Sequence, residues 1–334
     1  MKTYGVVVVT YNSQADIGRC LDSLAAAGAP EVVVIDNAST DGTVAEAASR
    51  PGVRVVANPW NRGFAAAANQ GIELVRRDLV LLLNPDTVVR GGLEMLAQAC
   101  QQPGVAAAGG RLIGQDGRIQ AGFMVRRLPA PVTLAFEALG LNRLWPGNPV
   151  NTRYRCAGFN AEQPAEVEQP AGAFIMLRRD AWRALGGFDE TFFPLWFEDV
   201  DFCKRAAETG YRVCYVPSAV AVHTGGYSAR KLSTASRWTY WYGTLLWYSA
   251  RHFRPAAVRA ISGAVMLGVL LRAVAACADS GAAGPAAGAV SVLKLAGRYL
   301  WSAERSAGGF PAFGFYGAAQ TTVPVSRDLI NGQI

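Results

Sequence analysis

Val6-Val7-Val8-Val9-Thr10-Tyr11-Asn12-Ser13 is the stretch on which the fold turns. Four valines in succession leave no face for water, so the run reads as a strand buried on both sides, as in parallel sheets covered by helices. It is shorter than a signal-peptide core, and no small-residue cleavage site follows it, so a buried strand is expected there rather than an export signal. The strand gives way abruptly to hydroxyl and amide side chains.

The same alternation continues outward. A helix is expected over 17–27 with Gly28 as its stop, a strand over 32–36, and a short helix over 43–49 ended by Pro51. A third strand over 53–57, an Ala-rich helix over 64–75, a fourth strand over 79–83 and a helix over 93–100 follow. Continuous apolar strands alternating with helices predict an α/β fold: a mainly parallel, Rossmann-like sheet flanked by helices. Residues 104–113 read as a strand and Gln115-Asp116-Gly117-Arg118 as a hairpin turn. The stretch 128–169 is rich in Pro, Arg and Asn and reads as a long loop. A strand over 173–177, a helix over 200–209 and an edge strand over 213–216 before Pro217 complete this part.

After His223 the composition changes. Trp238, Tyr240, Trp241, Tyr242, Trp247, Tyr248 and Phe253 stand among Arg237, Arg251, Arg254 and Arg259, and 260–271 is wholly apolar. Residues 281–288 read as a Gly/Ala hinge, and the tail beyond Gly308 has no readable pattern. Residues 1–225 carry 21 Lys/Arg and 22 Asp/Glu, whereas 226–334 carry 11 and 3, so the net charge of +7 belongs to the last third. Two regions follow: a catalytic unit over 1–227 and a basic, aromatic helical region over 228–334. Six scattered cysteines without a Cys-x-x-Cys pair point to a reducing compartment and argue against a zinc site.

Ligands bind beyond the carboxyl ends of parallel strands. The segments standing there are Thr10-Tyr11-Asn12-Ser13, Asp36-Asn37-Ala38-Ser39-Thr40-Asp41-Gly42, Asn58-Pro59-Trp60-Asn61-Arg62-Gly63-Phe64 and Asn84-Pro85-Asp86. Each alone is ordinary turn and cap chemistry. Together, four polar strand ends on an apolar sheet read as a binding rim. No Gly-x-Gly-x-x-Gly follows the first strand and no phosphate-binding Gly-x-x-x-x-Gly-Lys-Ser/Thr loop occurs. A nucleoside diphosphate would therefore need a divalent cation with oxygen ligands, and Asp86 is the natural candidate. A second constellation is Trp196-Phe197-Glu198-Asp199-Val200-Asp201, three acids opening a helix. Asp201 with Arg205 reads as a four-residue-spaced ion pair, while Glu198 and Asp199 beside aromatic walls suit proton abstraction. His223 alone would read as structural.

With these residues in view the chain resembles the inverting glycosyltransferases of family 2, which have the GT-A fold, over roughly residues 3–227. The elements are Val7-Val8-Val9-Thr10-Tyr11-Asn12-Ser13, Asp36-Asn37-Ala38-Ser39-Thr40-Asp41-Gly42-Thr43, Asn61-Arg62-Gly63-Phe64, Leu83-Asn84-Pro85-Asp86 and Gly187-Phe188-Asp189-Glu190 followed by Phe197-Glu198-Asp199-Val200-Asp201. Its nearest likeness is to the bacterial rhamnosyltransferases of surface-polysaccharide synthesis. The resemblance implies a donor sugar on dTDP or UDP, with Thr10, Tyr11, Asn12, Asp36 and Asn37 at the nucleoside and Asn61 and Gly63 near ribose and diphosphate. Asp86 matches the last acid of the Asp-x-Asp motif, with Asn84 in place of the first, and His223 the downstream ligand of a Mn2+ or Mg2+ ion. Asp199 matches the base and Glu198 an acceptor-orienting neighbour. Gly172 and Ala173 would floor the site, and Gln120 would contact the donor sugar.

Aromatic residues between arginines beside a short apolar helix predict peripheral attachment to the cytoplasmic face of the inner membrane. That location would suit a glycan or polyprenyl-diphosphate-linked acceptor, and it explains the basic charge without nucleic acid. The alternative is that these helices pack on the catalytic unit or form a homodimer interface. Two other functions are open: a sugar-nucleotide pyrophosphorylase, expected to carry a Gly-rich basic loop where Thr10-Tyr11-Asn12-Ser13 stands, and a non-catalytic sugar-nucleotide-binding protein.

Overall fold

The computed structural model describes residues 4–225, 232–280 and 283–301. The first half is β1 (Tyr4–Thr10), α1 (Gln14–Ala26), β2 (Val32–Asp36), α2 (Thr43–Ala48), β3 (Val53–Ala57), α3 (Phe64–Leu74) and β4 (Leu79–Leu83). It continues with β5 (Thr87–Gly91), α4 (Leu93–Gln101), β6 (Val105–Ile113) and β7 (Val125–Arg126), then α5 (Pro131–Leu139), α6 (Leu141–Leu144) and α7 (Pro149–Tyr154). Next come β8 (Ala165–Glu166), β9 (Gln169–Pro170), β10 (Phe174–Arg178), α8 (Arg179–Ala184), α9 (Glu198–Glu208) and β11 (Arg212–His223). Three helices follow the sheet: α10 (Thr234–His252), α11 (Pro255–Ser280) and α12 (Ala283–Trp301).

The main sheet runs β3-β2-β1-β4-β10-β6-β11-β5, with β8 paired to β11. Its first four strands are parallel, as their β-branched runs predict. The other half is mixed: β10 is antiparallel to both β4 and β6, and β5 is antiparallel to β11. The valine run works by alternation. Val6 and Val8 pack with Ile17 and Leu21 of α1 on one side, and Val7 and Val9 with Ala68 and Ile72 of α3 on the other. Register makes the strand ends level, since Thr10 pairs with Asp36 and Asp36 with Ala57. Because β10 is antiparallel, its first residue, Phe174, lies beside Leu83 at the end of β4.

Several expectations need correction. The last strand is not a short edge strand: β11 has 12 residues, lies between β6 and β5, and passes Pro217 through a register shift between Val216 and Val220. A bulge lets proline stay inside a strand because its missing N–H falls where the ladder is already interrupted. The edge is β5, which the sequence did not signal. The stretch 128–169 contains three helices, two of them opened by prolines, Pro131 and Pro149, at first-turn positions that proline suits. The apolar run 260–271 belongs to a 26-residue helix, of which Pro255–Ala275 is long and apolar enough to cross a membrane. From Ala283 the expected hinge is helical, while the featureless tail lies outside the described residues.

Four aromatic residues of α10 pack inside the molecule: Trp241, Tyr242, Trp247 and Tyr248. Trp241 packs on Trp196 and Phe197 at ring separations of 5.4 Å, Tyr242 and Tyr248 are buried, and the Trp247 indole donates to Asp189. Indole N–H groups seek a buried acceptor when their ring is covered.

Candidate active site

Thr10 and Asp36 begin the site. The Thr10 hydroxyl donates to Asp36 Oδ1 at 2.8 Å, and Ser39 donates to the same carboxylate from its backbone N–H (2.8 Å) and its hydroxyl (2.5 Å). Three donors fix this buried carboxylate at the end of β2. Asn12 ties the loops together: its N–H donates to Ser39 Oγ, and its side-chain carbonyl accepts from the Thr40 N–H. Tyr11 is exposed beside this rim. Asn37 is instead a buried brace, donating to the Gly63 carbonyl at 3.0 Å and accepting from Asn58 and the Arg62 N–H. Asn61 Oδ1 accepts from the Gly63 N–H. Gly63 has φ +83°, and a Cβ there would lie 2.8 Å from the Phe193 ring, so only glycine suits the position.

At the end of β4, the Asn84 N–H donates to the Ala173 carbonyl at 3.0 Å. Asp86 is buried. Its Oδ2 accepts from the Gly225 N–H at 3.1 Å, and its Oδ1 lies 3.6 Å from His223 Nε2, too far for a hydrogen bond. Gln120 clasps the other side of the imidazole: Nδ1 stands 3.0 Å from Gln120 Oε1, while Gln120 Nε2 donates to the His223 carbonyl at 2.7 Å. Phe123 stacks on the ring at 5.2 Å. Gln120 thus orients His223. Burial raises the Asp86 pKa against the pull of His223, and burial lowers that of His223 against the pull of Asp86. A cleft of about 660 Å³ opens beside Asp86, bordered by Asp16, Arg19, Arg90, Gln115 and Thr224.

Asp199 is half-buried in the first turn of α9. Its Oδ2 accepts from Gln169 Nε2 and from the Gly172 N–H, each at 3.0 Å. The two acids are thereby joined through a short strip of backbone. Asp199 is bonded to Gly172, the next residue Ala173 is bonded to Asn84, and Asp86 lies two residues further on. Trp196 (φ +79°) and Phe197 (φ +71°) both adopt left-handed backbone immediately before the helix, a costly conformation for non-glycine residues that concentrates at functional sites. It swings the chain so that Glu198 and Asp199 open α9 beside Gly172. Glu198 is buried, its Oε2 has no hydrogen-bond partner among the described residues, and its carboxyl is pushed up to about 8 by burial and then by the charge of Asp199. Glu198 therefore keeps its proton at neutral pH, held by burial beside Asp199.

Asp86 and His223 are two metal-ligating groups facing one another, and no cluster of three or more such groups occurs among the described residues. Magnesium and manganese are commonly held by one or two protein ligands with substrate phosphates completing the shell, so the pair fits such an ion.

Residues 5–183 match the family model described as Glycosyl transferase family 2, and residues 154–307 match Glycosyl transferase family group 2. The chain belongs to glycosyl transferase family 2. This family 2 chain is 31% identical over 264 residues to an N-acetylglucosaminyl-diphospho-decaprenol L-rhamnosyltransferase of Mycobacterium tuberculosis, covering 74% of this chain and 84% of the relative. It is 28% identical to a pre-mycofactocin glycosyltransferase of the same organism, covering 80% of this chain and 52% of the relative. Among solved structures it is similar to a mannosyltransferase from Pyrobaculum calidifontis in complex with GDP-Man and Mn2+, with a TM-score of 0.50, 20% identity and coverage of 90% and 88%. Likeness at that level supports the GT-A fold. Family membership also sets aside the pyrophosphorylase reading.

No sequence expectation pointed to Gln169, the side-chain partner of Asp199, or to α10 packing beside Trp196 and Phe197 in this family 2 chain. Trp241 of α10 packs on Trp196 and Phe197, which precede Glu198 and Asp199. An aromatic-rich helix following His223 was the available signal, and its residues were assigned to lipid instead.

Proposed function

We propose that the chain is an inverting, divalent-cation-dependent glycosyltransferase that moves a sugar, rhamnose being the first choice, from a dTDP- or UDP-linked donor to a hydroxyl of a polyprenyl-diphosphate-linked glycan in cell-surface polysaccharide synthesis. The observation that carries this reading is the Asp199–Gly172–Ala173–Asn84 strip, which sets a carboxylate base beside the strand end bearing Asp86. The rhamnosyltransferase relative, named for a decaprenol-linked acceptor, supports the sugar and the lipid carrier.

Thr10, Asp36 and the Ser39 loop hold the nucleoside. Asp86 and His223 would hold a Mn2+ or Mg2+ ion, which supplies charge neutralisation for the departing diphosphate. Asp199, oriented by Gln169 and Gly172, takes the proton of the acceptor hydroxyl as that oxygen attacks the anomeric carbon from the face opposite the diphosphate. Buried Glu198, kept neutral, adds no second negative charge beside Asp199. The enzyme works at the cytoplasmic face of the membrane, where a lipid-linked acceptor is presented.

Asp199→Asn tests the reading. Transfer from dTDP-rhamnose should fall by about a thousandfold or more, in line with losing a base that also charges the site, while calorimetric affinity for dTDP with Mn2+ is unchanged. Asp86→Ala should remove the Mn2+ dependence of that affinity. Turnover near wild type in the first variant sinks the base assignment.

A further inference from the structure

Helix α11 carries apolar residues on two sides, and it packs on α5, α10 and α12. Val258, Ile261, Val265 and Val269 are buried. Gly268 sits so close to α5 that a Cβ there would lie 2.0 Å from the Ala138 carbonyl oxygen, and Arg272 donates to that same oxygen and to the Tyr242 hydroxyl, both at 2.7 Å. These contacts fix the rotation of the helix. Leu267, Leu270, Leu271 and Val274 then stand on the outer side, with exposures of 52%, 46%, 57% and 71%. Their i, i+3, i+4, i+7 spacing is that of the face a helix normally buries. Arg259, also exposed, lies three turns before Leu270 on nearly the same line, and exposed Arg254 precedes the first turn. Residues 232–278 contain five arginines and no Asp or Glu.

We propose that this leucine stripe seats α11 in the surface of an anionic phospholipid bilayer, with the helix lying in the membrane plane. The inference rests on the reading above, in which the acceptor is carried on lipid, and names the surface that meets the membrane. Charge favours a leaflet over a second copy of the chain. Arginines flanking an apolar stripe find phosphates at a lipid surface, whereas a copy brings only more arginines to the same seam. Packing favours lying over crossing. The buried face of α11 is held on α5, whose Glu137 accepts from Asn142, which in turn accepts from Asn148. A crossing would carry Glu137, Arg272 and that amide network into hydrocarbon, where polar groups are costly. An in-plane helix instead immerses the leucines and lets Arg254 and Arg259 extend to the headgroups.

The test is flotation of the full-length chain with phosphatidylcholine vesicles, with and without about one third phosphatidylglycerol, the lipid charge being the variable. Wild type should float with the anionic vesicles. Leu267→Gln/Leu271→Gln should lower the bound fraction by about tenfold while keeping the same melting temperature, because both positions are exposed. Arg254→Glu/Arg259→Glu should remove the preference for anionic lipid. Equal flotation of the leucine variant and wild type overturns the proposal. So does a wild type that ignores vesicles but forms a dimer which the leucine variant dissolves. Transfer to a tail-less, water-soluble acceptor is measured in parallel: its absence in wild type counts against the catalytic reading, while its persistence in a non-floating leucine variant supports the membrane role.

Discussion

His252 Nε2 lies 2.8 Å from Asp201 Oδ1, joining residues 51 positions apart and binding α10 to the helix that begins with Glu198 and Asp199. Asp201 is fully buried and is also met by Arg205 at 2.7 Å and Arg251 at 2.9 Å, while Arg251 reaches on to Asp189 at 3.0 Å. The expected Asp201–Arg205 pair is therefore one side of a larger clasp. Helix α10, after the sheet, thus holds α9 through Asp201.

Breaking that clasp should cost stability in a pH-dependent way. Burial by itself raises the Asp201 pKa, but the His252 hydrogen bond, with Arg205 and Arg251, outweighs it and holds the carboxyl below its ordinary range. A carboxyl lowered on folding adds stability at pH above its unfolded value, and that stability is lost as pH falls through the folded value. His252→Ala should thus lose about 2–4 kcal/mol in urea unfolding at neutral pH, since a buried charge loses a partner. The deficit should shrink in acid, where Asp201 is protonated in both proteins. A pH-independent deficit contradicts the clasp.

The parallel half of the sheet was legible because each strand is apolar throughout and stops at a polar residue, as Val9-Thr10 and Ile35-Asp36 do. Asp86 and Asp199 were legible for the same reason, being acids where a strand ends or a helix begins. What stayed hidden depends on distant parts of the chain. Nothing local marks Gln169 as the partner of Asp199 or His252 as the partner of Asp201. Pro131 and Pro149 suggested loop, yet each opens a helix, because proline stops a helix only from inside it. Trp241 and Trp247 carried the composition of a membrane belt, and only the docking of α10 shows that they face Trp196 and Asp189.

Gly172 is a close-approach position. A Cβ there would lie 3.1 Å from both the Cβ and Oδ2 of Asp199, tighter than ordinary contact. Gly172→Ala should push the carboxylate aside and stretch the bond from the Gly172 N–H. Misplacing a base by a fraction of an ångström costs rate far more than it costs folding. The expected result is kcat lowered by about tenfold to a hundredfold, with donor affinity unchanged and unfolding free energy within about 1 kcal/mol of wild type. An unchanged kcat would show that this contact does not set the base.

Glu198 makes the sharpest pH prediction. Its carboxyl is raised to about 8 by burial and by Asp199, so the folded protein keeps this proton where the unfolded chain has released it. The sign is opposite to that of Asp201: stability falls as pH rises from the unfolded carboxyl range towards the folded value, then levels off. Glu198→Gln removes the ionisation while preserving shape and a hydrogen-bond donor. The variant should match wild type near pH 5 and exceed it by on the order of 3 kcal/mol near pH 8. Activity provides a second readout. Wild-type turnover should decline above about pH 8 as the second negative charge appears beside Asp199, and the glutamine variant should lack that limb. Melting curves at the two pH values and a pH–rate profile decide it. Identical stability at both pH values would mean that Glu198 is ionised in the fold, and the division of labour between the two acids would fail with it.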